Sequence, residues 1–156
     1  MRQFSHRTRI KAPIAAVAAF HLDSRALKLL TPPPVFVQMQ HVDPLAENSI
    51  ADFTLWIGPL PVRWVAVHTE VDPRSGFKDR QVHGPFKFWV HRHTFEQQGA
   101  DVTDVIDEIQ AEFGHGFWGL LSRFMWINLP FMFAYRGWVT RRAVAKTVAL
   151  NEMTIR

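Results

Sequence analysis

The chain has no cysteine. Disulfide bonds and thiolate chemistry are therefore excluded, and nothing in the sequence marks a redox compartment. A glycine-rich phosphate loop, a P-loop and a dinucleotide fingerprint are also missing. No Ser or Thr sits in a nucleophile-elbow context. Basic residues form no stripe: the 18 Lys and Arg divide evenly about residue 78, the net charge is +4, and no nucleic-acid reading motif accompanies them. No nucleic-acid partner is expected. The longest uninterrupted apolar run, residues 124–135, is 12 residues long and contains Asn128 and Pro130. A membrane-spanning helix needs about 20 apolar residues, so none is expected. The opening MRQFSHRTRIKAP carries charge throughout and no apolar h-region, which leads to the expectation of a cytoplasmic protein.

What is present is an ordinary globular composition, 47% hydrophobic and 21% charged over 156 residues. That length can bury a core without staples, and residues 1–156 read as one domain. Residues 4–10 look like a strand, broken by Ala12-Pro13. Residues 14–21 make a short helix, and Asp23-Ser24 is placed to cap a second one through Leu30. Thr31-Pro32-Pro33-Pro34 must end it, since successive prolines remove donors and fix φ. Strands then follow over 35–42, 50–57, 62–71, two around Gly84-Pro85, and 102–112. Turn-rich breaks at Asp43-Pro44, Gly58–Pro61, Asp72–Gly76 and Gln97–Asp101 separate them. Short strands with turns every ~8–12 residues indicate an antiparallel meander. From Phe117 to about Leu150 the pattern is helical, with Pro130 expected to kink or split the helix. The class is α+β.

The most informative stretch is FKDRQVHGPFKFWVHRHTF, residues 77–95. Side chains two apart in a strand share a face. One face therefore carries Phe77, Asp79 and Gln81, and then Trp89, His91, His93 and Phe95. A plain core face would be wholly apolar. A face that mixes aromatics with ionisable and amide groups suits a cavity gripping an apolar molecule by a few polar handles. His91-x-His93 permits metal ligation with Asp79 or Asp107, but such sites need three convergent ligands, and we assign no metal. The simplest arrangement is Asp–His pairing across neighbouring strands, because a buried carboxylate seldom goes unpartnered.

The C-terminal helix carries two apolar stripes. Leu121, Phe124/Met125, Asn128, Phe131/Met132, Tyr135 and Trp138/Val139 form one, expected to face the sheet. Trp126, Leu129 and Phe133 form the other, expected to be uncovered in a monomer. A homodimer through Trp126, Leu129 and Phe133 is the expectation. Peripheral membrane contact helped by Arg136, Arg141 and Arg142 is the alternative.

The order of elements and the FxDxQxxGPFxxWxHxHxF string at 77–95 resemble the START/Bet v 1-like (SRPBCC) superfamily, in particular its bacterial polyketide cyclase/dehydrase and lipid-transport branch. Ala12-Pro13, Leu30-Thr31-Pro32-Pro33, Trp64, Asp107 and Tyr135-Arg136 add to the likeness, which runs from about Phe4 to Arg136. Where that branch tends to show Tyr-x-x-Pro-x-Gly after the last-strand Asp, this chain has Ala111, Gly114 and Gly116. The resemblance implies a helix-grip fold, a curved antiparallel sheet around the long helix with a hydrophobic cavity between them. It implies that Trp64, Trp89, Phe95, Met125, Phe131 and Tyr135 line that cavity and that Asp79, Gln81, His91, His93 and Asp107 meet the ligand's polar end. The function expected is binding or carrying a small hydrophobic molecule, such as a lipid, an isoprenoid quinone or a polyketide-like aromatic, with no cofactor and no catalytic residue. The alternatives are a cyclase or dehydratase using an Asp–His pair, and a protein or membrane interaction module.

Overall fold

Turn residues cut the middle of the chain into short strands, and each strand pairs with the next. The structure is a computed structural model that describes residues 1–154 apart from Ser24. Its elements are β1 (Arg2–Ile10), α1 (Ile14–Leu22), α2 (Ala26–Leu29), β2 (Phe36–Val42), β3 (Ile50–Ile57), β4 (Leu60–Asp72), β5 (Gly76–His83), β6 (Phe86–Gly99), β7 (Val102–Phe113), α3 (Gly116–Ile127) and α4 (Leu129–Thr154). The seven strands form one antiparallel sheet in the order β1-β7-β6-β5-β4-β3-β2. The meander and the two short helices stand where the turn chemistry places them. Asp23 accepts the Arg25 N–H at 2.9 Å; Ser24, the other half of the expected cap, lies outside the described residues. On the edge strand, Arg9 holds Asp104 of β7 through hydrogen bonds of 2.8 and 3.0 Å.

The helix-facing side of the sheet buries two apolar clusters. Phe53, Trp64, Phe86, Trp89 and Ile109 form one with Leu129 and Phe133 of α4. Ile10, Val17, Phe77, Phe95 and Val105 form the other with Val144, nearer the C-terminal end of α4. Along β6 the inward positions run Trp89, His91, His93, Phe95, and along β7 they run Val105, Asp107, Ile109. The ionisable residues therefore lie between the clusters. Gly76 permits this register: its φ is +128°, and a Cβ there would collide with the His93 carbonyl.

The C-terminal helix splits at Asn128, whose Nδ2 donates to the Phe124 carbonyl at 2.8 Å. Pro130 occupies the first turn of α4, where its missing N–H leaves no partner unserved. The face that meets the sheet is Leu129, Phe133, Gly137, Thr140 and Val144, all buried. On α4 this reverses the expectation, whereas on α3 the expected stripe does turn inward at Leu121, buried, and Met125, half-buried. Leu129 and Phe133 are core, at 2% and 1% exposure, so they cannot form a dimer surface, while Phe131 is 62% exposed and Phe124 56%. Trp126 is half-buried against the core, 6.4 Å from the Phe4 ring. Close approach decides the matter: a Cβ at Gly137 would stand 2.8 Å from Thr8 Oγ1 of β1, so a small residue is needed at this contact. The larger rings of the expected stripe are left outside. The large apolar side chains uncovered on α3 and the first turn of α4 are Phe117, Trp118, Leu120, Phe124, Ile127 and Phe131, and further along α4 Trp138, Leu150 and Met153 are exposed as well.

Two variants separate the faces. Phe133→Ala should lose about 3–5 kcal/mol of unfolding free energy, as buried aromatic truncations do. Phe131→Ala should stay within about 0.5 kcal/mol of the parent. Urea titrations followed by far-ultraviolet circular dichroism check both.

Candidate functional site

Four ionisable side chains meet between the two apolar clusters. Strand period 2 turns His91 and His93 to the same face. Antiparallel register then sets Asp79 of β5 beside His91 and Asp107 of β7 beside His93. Each imidazole stands between both carboxylates. His91 Nε2 and His93 Nδ1 lie 2.9 and 3.0 Å from the same Asp107 oxygen, Oδ1. On the other side, His91 Nδ1 and His93 Nε2 lie 3.5 and 3.2 Å from Asp79 Oδ2. The His91–Asp107 and His93–Asp79 contacts are hydrogen bonds. The 3.0 Å approach of His93 Nδ1 is too poorly aligned to be one, and that nitrogen has no hydrogen-bond partner. Aromatic rings enclose the group: Phe77 stacks on His93 at 4.3 Å, and Phe133 meets His91 edge-on at 5.4 Å.

Burying two carboxylates is costly unless cations answer them. Here burial pushes the Asp107 carboxyl up, but its contacts with His91 and His93 outweigh this and hold it well below the usual carboxylate range. Asp79 is lowered by the same competition, with His93 its main partner. For His93, burial alone would favour the neutral ring. The close contacts and charges of Asp107 and Asp79 overcome it and push the imidazole up to about 9. His91 goes the other way, lowered by burial and by the charge on His93. At neutral pH the tetrad holds two carboxylates, one imidazolium and one neutral imidazole.

Two residues that sequence reasoning did not single out for the site complete its surroundings. Arg136 lies one turn beyond Phe133, its guanidinium 5.1 Å over that ring, and its Nε is buried without a partner. His21, at the end of α1, shares Nδ1 with the Val17 carbonyl at 2.9 Å, and burial pulls it down to about 4. Arg136, His21, His93 and Asp107 line a cavity with Thr8 and Thr140. Its volume is about 20 Å³, room for one water. A correct choice of α4 face would have placed Arg136 there; nothing local in the α1 sequence points to His21.

The remaining candidates divide. Trp64, Trp89 and Phe95 are buried inward, Trp64 edge-on to Trp89 at 5.4 Å. Met125 is half-buried against the same cluster. Gln81 does not face the tetrad's cavity: its Nε2 donates to the Phe86 carbonyl at 2.8 Å and its Oε1 accepts the Phe86 N–H at 3.4 Å, bracing the Gly84-Pro85 turn. Phe131 and Tyr135 sit two residues either side of Phe133, roughly 200° away around the helix. Phe131 is exposed, and Tyr135 packs on Trp138 at 5.9 Å. The larger depression, about 450 Å³, lies on the opposite sheet face among Gln3, Ser5, Arg92, Glu108 and Gln110. The space expected between sheet and helix is filled chiefly by the Trp64, Phe86, Trp89 and Phe133 rings. Asp79, His91 and His93 each offer one ligand atom within 4.8 Å of the others, a grouping able to hold a metal ion.

Solved structures share this architecture. The Zhui aromatase/cyclase of Streptomyces sp. R1128 superposes with a TM-score of 0.74 at 13% identity, covering 94% of this chain and 95% of that one. Norcoclaurine synthase of Thalictrum flavum, in complex with dopamine and hydroxybenzaldehyde, gives 0.71 at 13% identity, covering 93% and 87%. A Thermus thermophilus protein gives 0.70 at 17% identity, covering 91% and 99%. No protein-family model and no curated protein sequence matches the chain. The fold is the helix-grip fold that these structures share. Among the described residues no helix is long and apolar enough to cross a membrane.

The His93 shift has a sign that can be measured. A folded pKa of about 9, above the ordinary 6.5, contributes stability that is complete below pH 6.5 and lost as pH rises through 9. In EDTA, unfolding free energy should fall by a few kcal/mol across that window, at up to ~1.4 kcal/mol per pH unit. His93→Gln should flatten this alkaline limb. Urea midpoints taken from pH 6 to 10 provide the check.

Proposed function

We propose that the protein binds a small, largely apolar molecule bearing an oxygen function, an oxygenated aromatic being the best fit. The observation that carries this reading is Arg136 Nε, buried without a hydrogen-bond partner on a residue that lines, with His21, His93 and Thr140, a cavity between the two apolar clusters. An unmet buried donor costs about 1–3 kcal/mol, and a ligand oxygen would answer it. Trp64, Trp89 and Phe95 supply apolar surface on either side of the tetrad. The cavity of about 20 Å³ is too small for an organic ligand, so binding requires side chains to yield. Met125 and Met132, half-buried against the core, are the adaptable ones. The dopamine and hydroxybenzaldehyde in the norcoclaurine synthase structure are oxygenated aromatics. Lipid and quinone ligands satisfy the same chemistry less closely, since their long chains need more displaced volume.

An acid–base enzyme of the cyclase or dehydratase kind is the second reading, favoured by neutral His91 hydrogen-bonded to Asp107. Proton transfer works best from a group whose pKa lies near the operating pH. His93 near 9 and both carboxylates held low are poor matches. Binding is therefore preferred.

Tryptophan fluorescence and thermal shift against a panel of phenols, aromatic aldehydes, quinones and fatty acids, in EDTA, test the proposal. Oxygenated aromatics should raise the melting temperature. Arg136→Met should weaken them by roughly 10–100-fold, as expected for a hydrogen bond from a charged donor. No shift across the panel, with no small molecule in the native mass spectrum, overturns it. Turnover of a panel compound that His91→Ala abolishes, with binding retained, replaces it by the enzyme reading.

A further inference from the structure

We propose that Asp79, His91 and His93 form a three-ligand site for a divalent transition-metal ion of Zn²⁺ size, with Asp107 as the carboxylate that orients both imidazoles. The two sides of the tetrad are not equivalent. His91 Nδ1 and His93 Nε2 face Asp79 Oδ2 at 3.5 and 3.2 Å. Zinc bonds to nitrogen and oxygen are about 2.0–2.1 Å, which makes the edge of a tetrahedral site roughly 3.3 Å. The two edges to Asp79 Oδ2 have that spacing, and all three ligand atoms lie within 4.8 Å of one another. The opposite nitrogens, His91 Nε2 and His93 Nδ1, stand 2.9 and 3.0 Å from Asp107 Oδ1, the length of a hydrogen bond. Ligating histidines characteristically give their second ring nitrogen to a carboxylate, which selects the tautomer and fixes the ring. One carboxylate oxygen does this for two rings here. A small rotation of His93 would align its unpartnered Nδ1 with that oxygen.

Sheet geometry supports the assignment. All three ligands come from the hydrogen-bonded strands β5 and β6, with Asp79 directly opposite His91, so the site needs no loop to close. Phe77 and Phe133 hold the rings in place from two sides. The Asp79 side chain is 18% exposed against 10% for Asp107, so entry and a fourth, water-filled position fall on the Asp79 side. Three protein ligands with one open position are the pattern of catalytic rather than structural zinc. The charge balances, two carboxylates against one divalent cation. Arg136 lies on the Asp107 side of the tetrad, where both line the small cavity. The assignment goes beyond the ligand-binding reading and does not need an organic ligand.

Metal-free protein, prepared with EDTA and dialysed, is titrated with Zn²⁺ by calorimetry and with Co²⁺ by visible absorption, with no organic compound present. One equivalent should bind, and Co²⁺ should show the intense d–d bands of a tetrahedral site. Asp107→Asn, a positioning change, should weaken Zn²⁺ by about 10–100-fold while the cobalt bands persist at saturation. Asp79→Asn and His93→Gln should weaken it further and abolish the tetrahedral bands. His41→Ala, at an exposed histidine paired with Asp43, should change nothing. Absence of saturable uptake by folded wild-type protein overturns the proposal. So does equal uptake by wild type and a folded Asp79→Asn/His93→Gln variant. Because the ligand panel is read in EDTA and the metal alone, either proposal can fail without the other.

Discussion

Mutual neutralisation of Asp79, His91, His93 and Asp107 is the interaction on which the rest of the interior depends. Isolated carboxylates in this position would carry a desolvation penalty of several kcal/mol each, and an isolated imidazolium would lose its proton. Together they hold Asp107 and Asp79 low and His93 near 9. The sheet must keep its register for this to work. A slip of one residue would turn His91 and His93 outward and leave Asp107 without a partner. Gly76, which lets β5 pass the His93 carbonyl, and Gln81, which braces the β5–β6 turn, both serve that register.

The same tetrad divides the core. On the α3 side of it, the rings of Trp64, Phe86, Trp89 and Phe133 fill the space between sheet and helix. On the other, Ile10, Val17, Phe95 and Val144 pack α1 and the later part of α4 against the sheet. The helix reaches both by presenting a face on which Gly137 and Thr140 separate Phe133 from Val144. Small residues allow backbone approach to Thr8, and Phe117, Trp118, Phe124 and Phe131 stay at the surface. The site inherits its chemistry from this packing: charged groups in a poorly hydrated interior, one water-sized void, and donors with no partner of their own. An oxygen-bearing ligand and a metal ion answer different sides of it, the first beside Arg136 and the second beside Asp79.

Much of this was written along the chain. Turn chemistry at Asp43-Pro44, Asp72–Gly76 and Gly84-Pro85 is local, and so the meander and its boundaries were legible. Strand period 2 is local too, and it placed Trp89, His91, His93 and Phe95 on one buried face with Asp79. The pairing of Asp107 with these histidines followed from the cost of burying a charge alone. Pro130 announced a break in the C-terminal helix, and the helix does part at Asn128.

What the sequence left undecided was whatever depends on distance between elements. Hydrophobicity chose the wrong face of α4, because Phe124, Phe131 and Tyr135 outweigh Gly137 and Thr140 on any apolar scale; the short approach of the helix to β1 selects small side chains instead. Arg136 and His21 reach the cavity only once that face and α1 are docked. Gln81 shares its strand face with Asp79, yet the tight Gly84-Pro85 turn brings the Phe86 backbone within its reach. The sequence by itself determined the strands, their order and the shared inward face of Asp79, His91 and His93. Tertiary structure alone decided how those groups divide two carboxylates between two imidazoles, because angles and separations of a few tenths of an ångström arise from packing across strands and carry no signature in residue order.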